Sequence, residues 1–300
     1  FRDGADNARP LPPLHQRQDT RVIEKLLASF DTPGESTEPR ILCRVEQGVA
    51  VVVIANETAR NALPLRMWSD LETVFADLSR DRSLRAVILR GSGTSAFAAG
   101  ADISEFPELR LTAARAAGYN AQLSRTLRTI AGIEVPTLAM LQGFAVGGGC
   151  EIAAACDLRI GADNLSIGIP VGRLGVILGL AESRLLIRHI GVNGLKKLLF
   201  SGELLDAEAA LRMGLVDEVV PDLTHRVAAL ANAIVSSSAT VMQAAKVITD
   251  LAGRVDDLAA DRIQDLMVST YDGADLREGV SAFLEKRPAV FGPSGTETAR

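Results

Sequence analysis

Glu151 is the residue best placed to move a proton. It follows three consecutive glycines, Gly147, Gly148 and Gly149, with Cys150 between. Apolar residues at Leu138, Met140 and Leu141 lead into the glycines and read as a strand, and Glu151 to Ala155 has good helix formers. A strand that turns through glycines into a helix leaves bare amide N–H groups at the turn, where the helix dipole adds partial positive charge. Glu151 falls one turn inside that helix, close to the same spot. Bare donors suit a developing oxyanion, and a carboxylate beside them suits general acid–base chemistry. The competing reading is that three glycines merely permit a tight turn and close packing.

A second small-residue turn, Ala98-Ala99-Gly100-Ala101-Asp102, comes shortly after the clear strand Ala86–Arg90. Open α/β sheets place their ligands at such strand ends. Other chemistries lack residues. The three histidines, His15, His189 and His225, lie in a proline-rich tail and in apolar helical patterns, and read as structural or solvated. That disfavours a His-based triad and a His-ligated metal site. Cys43, Cys150 and Cys156 have no paired metal spacing and are expected to be reduced, buried and intracellular. A formal charge of −5 with mixed signs gives no nucleic-acid footprint.

The two turns together resemble the enoyl-CoA hydratase/isomerase (crotonase) superfamily, whose pattern is an F-x-A-G-x-D loop followed by G-x-x-x-G-G-G-x-E. Here these are Phe97 to Asp102 and Gly143 to Glu151, and the resemblance runs from about Arg40 to Phe291. It implies an α/β fold, a crotonase-like spiral of β-β-α units with a C-terminal helical assembly region. It also implies catalysis by an oxyanion hole made of the Ala101 and Gly148 N–H groups, with Glu151 as acid–base. Ala99, Asp102 and Ile103 then lie on the substrate side, although Asp102 also reads as a cap for the next turn. No metal or redox cofactor is implied; coenzyme A enters as part of the substrate. The implied assembly is a homotrimer or dimer of trimers.

The supporting elements follow in chain order. Residues 1–39 read as an extension, with Pro10-Leu11-Pro12-Pro13, a short amphipathic helix bearing Val22, Ile23, Leu26, Leu27 and Phe30, and a linker over Thr32–Ser36. The helix could dock on the core or on a neighbouring subunit. Residues 40–221 read as the core. Ile41–Val45 and Val49–Ala55 make a hairpin, and Asn56 to Leu63 is similar to the family's N-R-P-x-x-R-N-A-L segment. By that resemblance Ala59 and Arg60 meet the nucleotide of coenzyme A; an arginine suits phosphate. Leu111–Ile130 is a helix carrying Tyr119, a pocket-lining candidate or plain core. Residues 222–300 read as helical, broken at Ser236–Ser238, with Lys286 in the terminal E-G-x-x-A-F-x-E-K-R match as a further coenzyme A candidate.

One segment departs from the pattern. Ser166 to Leu185 matches F-x-x-P-E-x-x-x-G-x-x-P-G-x-G-G-T, but Val171 stands where the second catalytic glutamate belongs, in what the resemblance makes part of the substrate site. Valine transfers no proton, so simple hydration is in doubt. Glu182, near the start of the next helix, either swings toward the pocket or is an ordinary helix-start charge. The readings left open are a hydratase or isomerase, a thioester hydrolase or decarboxylase on the same scaffold, and an acyl-CoA-binding protein with little catalysis. No apolar run reaches a membrane span and no signal peptide is read at the start, so a cytoplasmic protein is expected. The chain opens on Phe1 rather than Met, so its true N-terminus is expected to be missing or altered.

Overall fold

Val49 to Ile54 is an unbroken apolar run, which a strand accommodates when both sheet faces are covered. It lies one strand in from the edge of the first sheet. The computed structural model describes residues 20–30, 38–110, 112–173 and 175–252, with single positions near the C-terminus (278, 282, 285, 287, 289 and 290). In order, the elements are α1 (Thr20–Ala28), β1 (Arg40–Glu46), β2 (Val49–Ala55), α2 (Leu65–Leu78), β3 (Ala86–Gly91), β4 (Ala96–Ala98), α3 (Phe106–Leu109) and α4 (Ala113–Gly132). Then come β5 (Thr137–Leu141), β6 (Phe144–Val146), α5 (Gly148–Ala155), β7 (Leu158–Gly161), β8 (Ser166–Gly168) and α6 (Leu180–Ser201). The last are β9 (Leu205–Asp206), α7 (Ala207–Met213), β10 (Glu218–Val219), α8 (Leu223–Val235) and α9 (Ala239–Ala252).

The first sheet has the order β1-β2-β3-β5-β7-β10, the second β4-β6-β8-β9. Only the β1–β2 hairpin is antiparallel in the first sheet. The chain repeatedly lays one strand in each sheet and then a helix: β3-β4 with α3 and α4, β5-β6 with α5, β7-β8 with α6. That repetition is the spiral of β-β-α units, and it brings the ends of β4 and β6 side by side.

Alternation along the strands divides the core in two. Ala50, Val52, Ile54, Val87, Leu89, Ala139 and Leu141 face α2, α4 and α5. Val49, Val51, Val53, Ile88, Leu138 and Met140 face the opposite way, where α1 and α8 cover them. The extension's helix thus docks on its own core, through buried Ile23, Leu26 and Leu27. Each such side chain contributes roughly 2 kcal/mol of transfer free energy before ordering costs. Arg90 Nη1, on β3, donates to the Leu27 carbonyl at 3.1 Å, and Glu24 meets His225 of α8 at 2.9 Å. The proline stretch, His15 and the Thr32–Ser36 linker lie outside the described residues.

Residues 236–238 do separate α8 from α9. Cys43 corrects an expectation: it is exposed, because β1 is the edge strand and its second half faces solvent. Among the described residues, no single helix is long and apolar enough to cross a membrane.

Candidate active site

Each glycine of the triplet answers a different constraint. Gly147 has φ 54° and ψ −119°, a conformation for a residue without Cβ. A Cβ on Gly148 would lie 2.7 Å from Cζ2 of Trp68, and one on Gly149 would lie 2.1 Å from the Ala98 carbonyl oxygen. Residue 148 therefore starts α5 pressed against a fully buried indole, with its N–H ahead of the helix's own ladder.

The Ala101 N–H is left bare by a clamp on either side of it. Leu63 N–H donates to the Gly100 carbonyl at 2.7 Å, Asp102 N–H donates to the Leu63 carbonyl at 2.9 Å, and Ala99 N–H donates to the Arg60 carbonyl at 2.9 Å. Buried Asn61 holds that clamp: its Nδ2 donates to the Ser92 and Ala96 carbonyls, and its Oδ1 accepts from Asn56 N–H. A Cβ on Gly148 would sit 3.6 Å from Ala101 N, and one on Gly100 would sit 3.1 Å from Gly148 N. The two amides are neighbours, and neither has an acceptor among the described residues.

Glu151 lies one turn into α5 and is 6% exposed. Burial, then the charge of Glu182, push its carboxyl up to about 7, with the Arg110 cation pulling the other way. Such a group holds or releases a proton near neutral pH. Tyr119 is buried, its hydroxyl has no partner among the described residues, and burial holds it protonated. Its ring meets Phe106 edge-on at 5.9 Å, and the Arg110 guanidinium lies 4.7 Å from both ring centroids. The buried Trp68 Nε1–H also lacks a partner. Burial raises both neighbouring thiols, Cys156 to about 12, so neither supplies a thiolate at neutral pH.

The far end of α5 is tied down. Arg159 is 2% exposed; its Nη2 pairs with Asp217 at 2.7 Å and its Nη1 donates to the Cys156 carbonyl at 2.9 Å. His189 Nε2 lies 2.9 Å from the Ala154 carbonyl, which assigns that nitrogen the proton. Its pKa is lowered by burial and by Arg159, so the ring is neutral and structural. The Asp157 carboxylate accepts from Thr137 N–H, the Thr137 hydroxyl and Lys246 of α9.

Part of the set singled out in the sequence falls around one place. Ala99, Ala101, Gly148 and Glu151 converge, and Tyr119 is within the electrostatic reach of Glu151. Ala59 and Arg60 form the exposed turn bonded to Ala99, with the Arg60 guanidinium 4.9 Å from the Phe144 ring centroid. Asp102 caps the following turn through Ser104 N–H at 3.0 Å, Ile103 is 51% exposed, and Val171 packs half-buried on the core. Lys286 lies outside the described residues. Glu182 is in the first turn of α6 but is turned inward, 7% exposed. The sequence reading missed Trp68, Arg110 and Ser124; only Arg110, a cation four residues after Phe106, carried any signal of a site. Among the described residues no cluster of metal-ligating side chains gathers.

The chain matches the family model described as "Enoyl-CoA hydratase/isomerase" over residues 44–294. It is 34% identical over 250 residues to the short-chain-enoyl-CoA hydratase of Clostridium acetobutylicum, which spans 82% of this chain and 95% of that protein. The crotonyl-CoA hydratase of Syntrophomonas wolfei is also 34% identical, covering 84% of this chain and 97% of its own length. A crystal structure of an enoyl-CoA hydratase/carnithine racemase from Magnetospirillum magneticum superposes with a TM-score of 0.82 at 32% identity, over 87% of this chain and 97% of that one.

Proposed function

Because the chain belongs to the enoyl-CoA hydratase/isomerase family, we propose that its site binds an acyl-CoA thioester and stabilises the enolate formed when a proton moves at the α-carbon. The thioester oxygen accepts bonds from the Ala101 and Gly148 N–H groups. Each such donor lowers the barrier by on the order of a few kcal/mol when it is aimed at the developing charge. Glu151 carries the proton. The observation supporting this reading is that two neighbouring unpartnered amides and a buried carboxyl near pKa 7 occupy one end of α5.

Substrate binding follows from the surroundings. Arg60, exposed beside Ala59, suits a phosphate of the nucleotide. Ala99, Asp102 and Ile103 flank the Ala101 amide, while Tyr119 and Val171 bound the acyl side. The same reading takes the chain as a homotrimer or dimer of trimers.

The test uses a series of 2-enoyl-CoA esters, for hydration, and a saturated acyl-CoA in deuterated water, for α-proton exchange. The parent protein is expected to catalyse exchange. Glu151→Gln is expected to lower it about 100- to 10,000-fold, the range for loss of a general acid–base group. Tight binding of the esters with no exchange, hydration or double-bond shift would instead mark a binding protein. Release of free coenzyme A would mark a hydrolase.

A further inference from the structure

One buried acid is left unused by that mechanism. Glu182 stands in the first turn of α6, where an acidic side chain is favoured by the dipole while solvated. It is instead 7% exposed. Its Oε1 accepts a hydrogen bond from the Ser124 hydroxyl of α4. Its Oε2 accepts none from the described residues, and lies where a Cβ on Gly179 would sit, 2.2 Å away. No arginine or lysine among the described residues pairs with it, and an unpaired buried carboxylate works against folding. The cost is understandable if the group is used.

Its location supports a use. α6 packs on both α5, which carries Glu151, and α4, which carries Ser124. After burial itself, the charge of Glu182 is the main influence raising Glu151, so the two carboxyls lie within electrostatic reach of each other across the α5–α6 packing. The position where the family resemblance expects a second acid holds Val171, which is packed on the core.

We propose that Glu182, held by Ser124, is the second catalytic acid–base group of this site and activates the water that adds to the β-carbon of a bound 2-enoyl thioester. This rests on the enolate reading above. A water donates one hydrogen bond to the free Oε2 of Glu182. Its oxygen forms a bond to the β-carbon as its proton passes to Glu182. The double-bond electrons move onto the thioester as an enolate, held by the Ala101 and Gly148 amides. The enolate collapses as its α-carbon takes the proton of Glu151. The product is the 3-hydroxyacyl thioester, and a proton returns from Glu182 to Glu151 directly or through solvent. No oxidant, metal or further reactant is required.

Two activities separate this proposal from the reading beneath it. α-Proton exchange on a saturated acyl-CoA needs the amides and Glu151, whereas hydration needs Glu182 as well. Glu182→Gln is expected to lower hydration by about 100- to 10,000-fold, while the plateau rate of exchange stays within about threefold. Its exchange profile should also move to lower pH, because a charge that raises Glu151 is gone. Ser124→Ala, which keeps the acid but releases it, should lower hydration about tenfold, the worth of one charge-assisted hydrogen bond. Hydration within tenfold of the parent in Glu182→Gln overturns the proposal. So does an equal fall of both activities in folded protein, which would mark a structural role. A parent that exchanges α-protons but hydrates no ester overturns it too and leaves the enolate reading standing. A parent that does neither removes both.

Discussion

The two ends of α5, a helix of eight residues, are built on opposite terms. At its C-terminus nearly every polar group is answered. The Ala154 and Cys156 carbonyls take bonds from His189 and Arg159, Asp157 collects three donors, and Arg159 is paired with Asp217, with only its Nε left over. At its N-terminus the amides of Gly148 and Ala101 have no acceptor among the described residues, and a carboxyl is held in a place that disfavours its charge. Unmet polar groups persist only where their surroundings over-determine them. The bonded end fixes the helix so that the bare end keeps its geometry.

Breaking the bonded end should have the largest effect on stability. Arg159→Met takes the guanidinium from the Cys156 carbonyl and from Asp217, which keeps the residue-159 N–H, and loss of one member of a largely buried pair costs about 3 kcal/mol. Urea unfolding is expected to show a lower midpoint with an unchanged slope. Exchange activity should fall in step with the unfolded fraction rather than through the chemistry. An unchanged midpoint would show that this network does not hold α5.

The bare end should respond in the opposite sense. A carboxyl raised from its ordinary value of 4.5 to about 7 binds its proton more tightly in the folded state. Below pH 4.5 both states are protonated and nothing is lost. As pH rises from there to about 7 the unfolded chain loses its proton first, so stability falls, and the full deficit remains above 7. Glu151→Gln removes it. The variant should match the parent near pH 4 and exceed it by on the order of 3 kcal/mol above pH 7, while losing its chemistry. Comparing unfolding midpoints at the two pH values tests this; equal stability at both would mean that the carboxyl is not held against its charge.

The same contrast explains what could be read from the chain. The glycine turn and the Ala99–Asp102 loop were legible because a turn that leaves amides bare has a composition of small residues. β2 and β3 were legible as apolar runs. Glu182 was legible only as one of two alternatives, because an acid in a first helical turn is ordinarily solvated. Its partner Ser124 is 58 positions away, and no periodicity links them. Asn61, which bonds across 35 positions to Ala96, looked like one more polar residue in a turn. Cys43 was misread because a strand pattern alone does not reveal that its strand is an edge. The apolar face of the extension's helix did not say which surface it covers; in the structure it lies on its own sheet, where Arg90, a basic residue within an apolar strand, reaches the end of α1.

The smallest expected effect concerns Arg110, which lies at the rim of the bare end. Its guanidinium covers Phe106 and Tyr119, and its Nη2 donates to Asn120 Oδ1 at 2.7 Å. Stability is therefore expected to drop by only about 0.5–1 kcal/mol in Arg110→Met, the size of an exposed cation–π contact, since the new side chain keeps apolar cover over the rings. The informative readout is the proton. Arg110 pulls the Glu151 carboxyl down, whereas Glu182 pushes it up and is the larger of the two influences. Arg110→Met should consequently move the midpoint of the exchange profile to higher pH, and by less than Glu182→Gln moves it to lower pH. Opposite displacements would place one cation and one anion on either side of the same acid. Displacements of the same sign would mean that at least one of these charges acts on Glu151 through the shape of the site instead of its field.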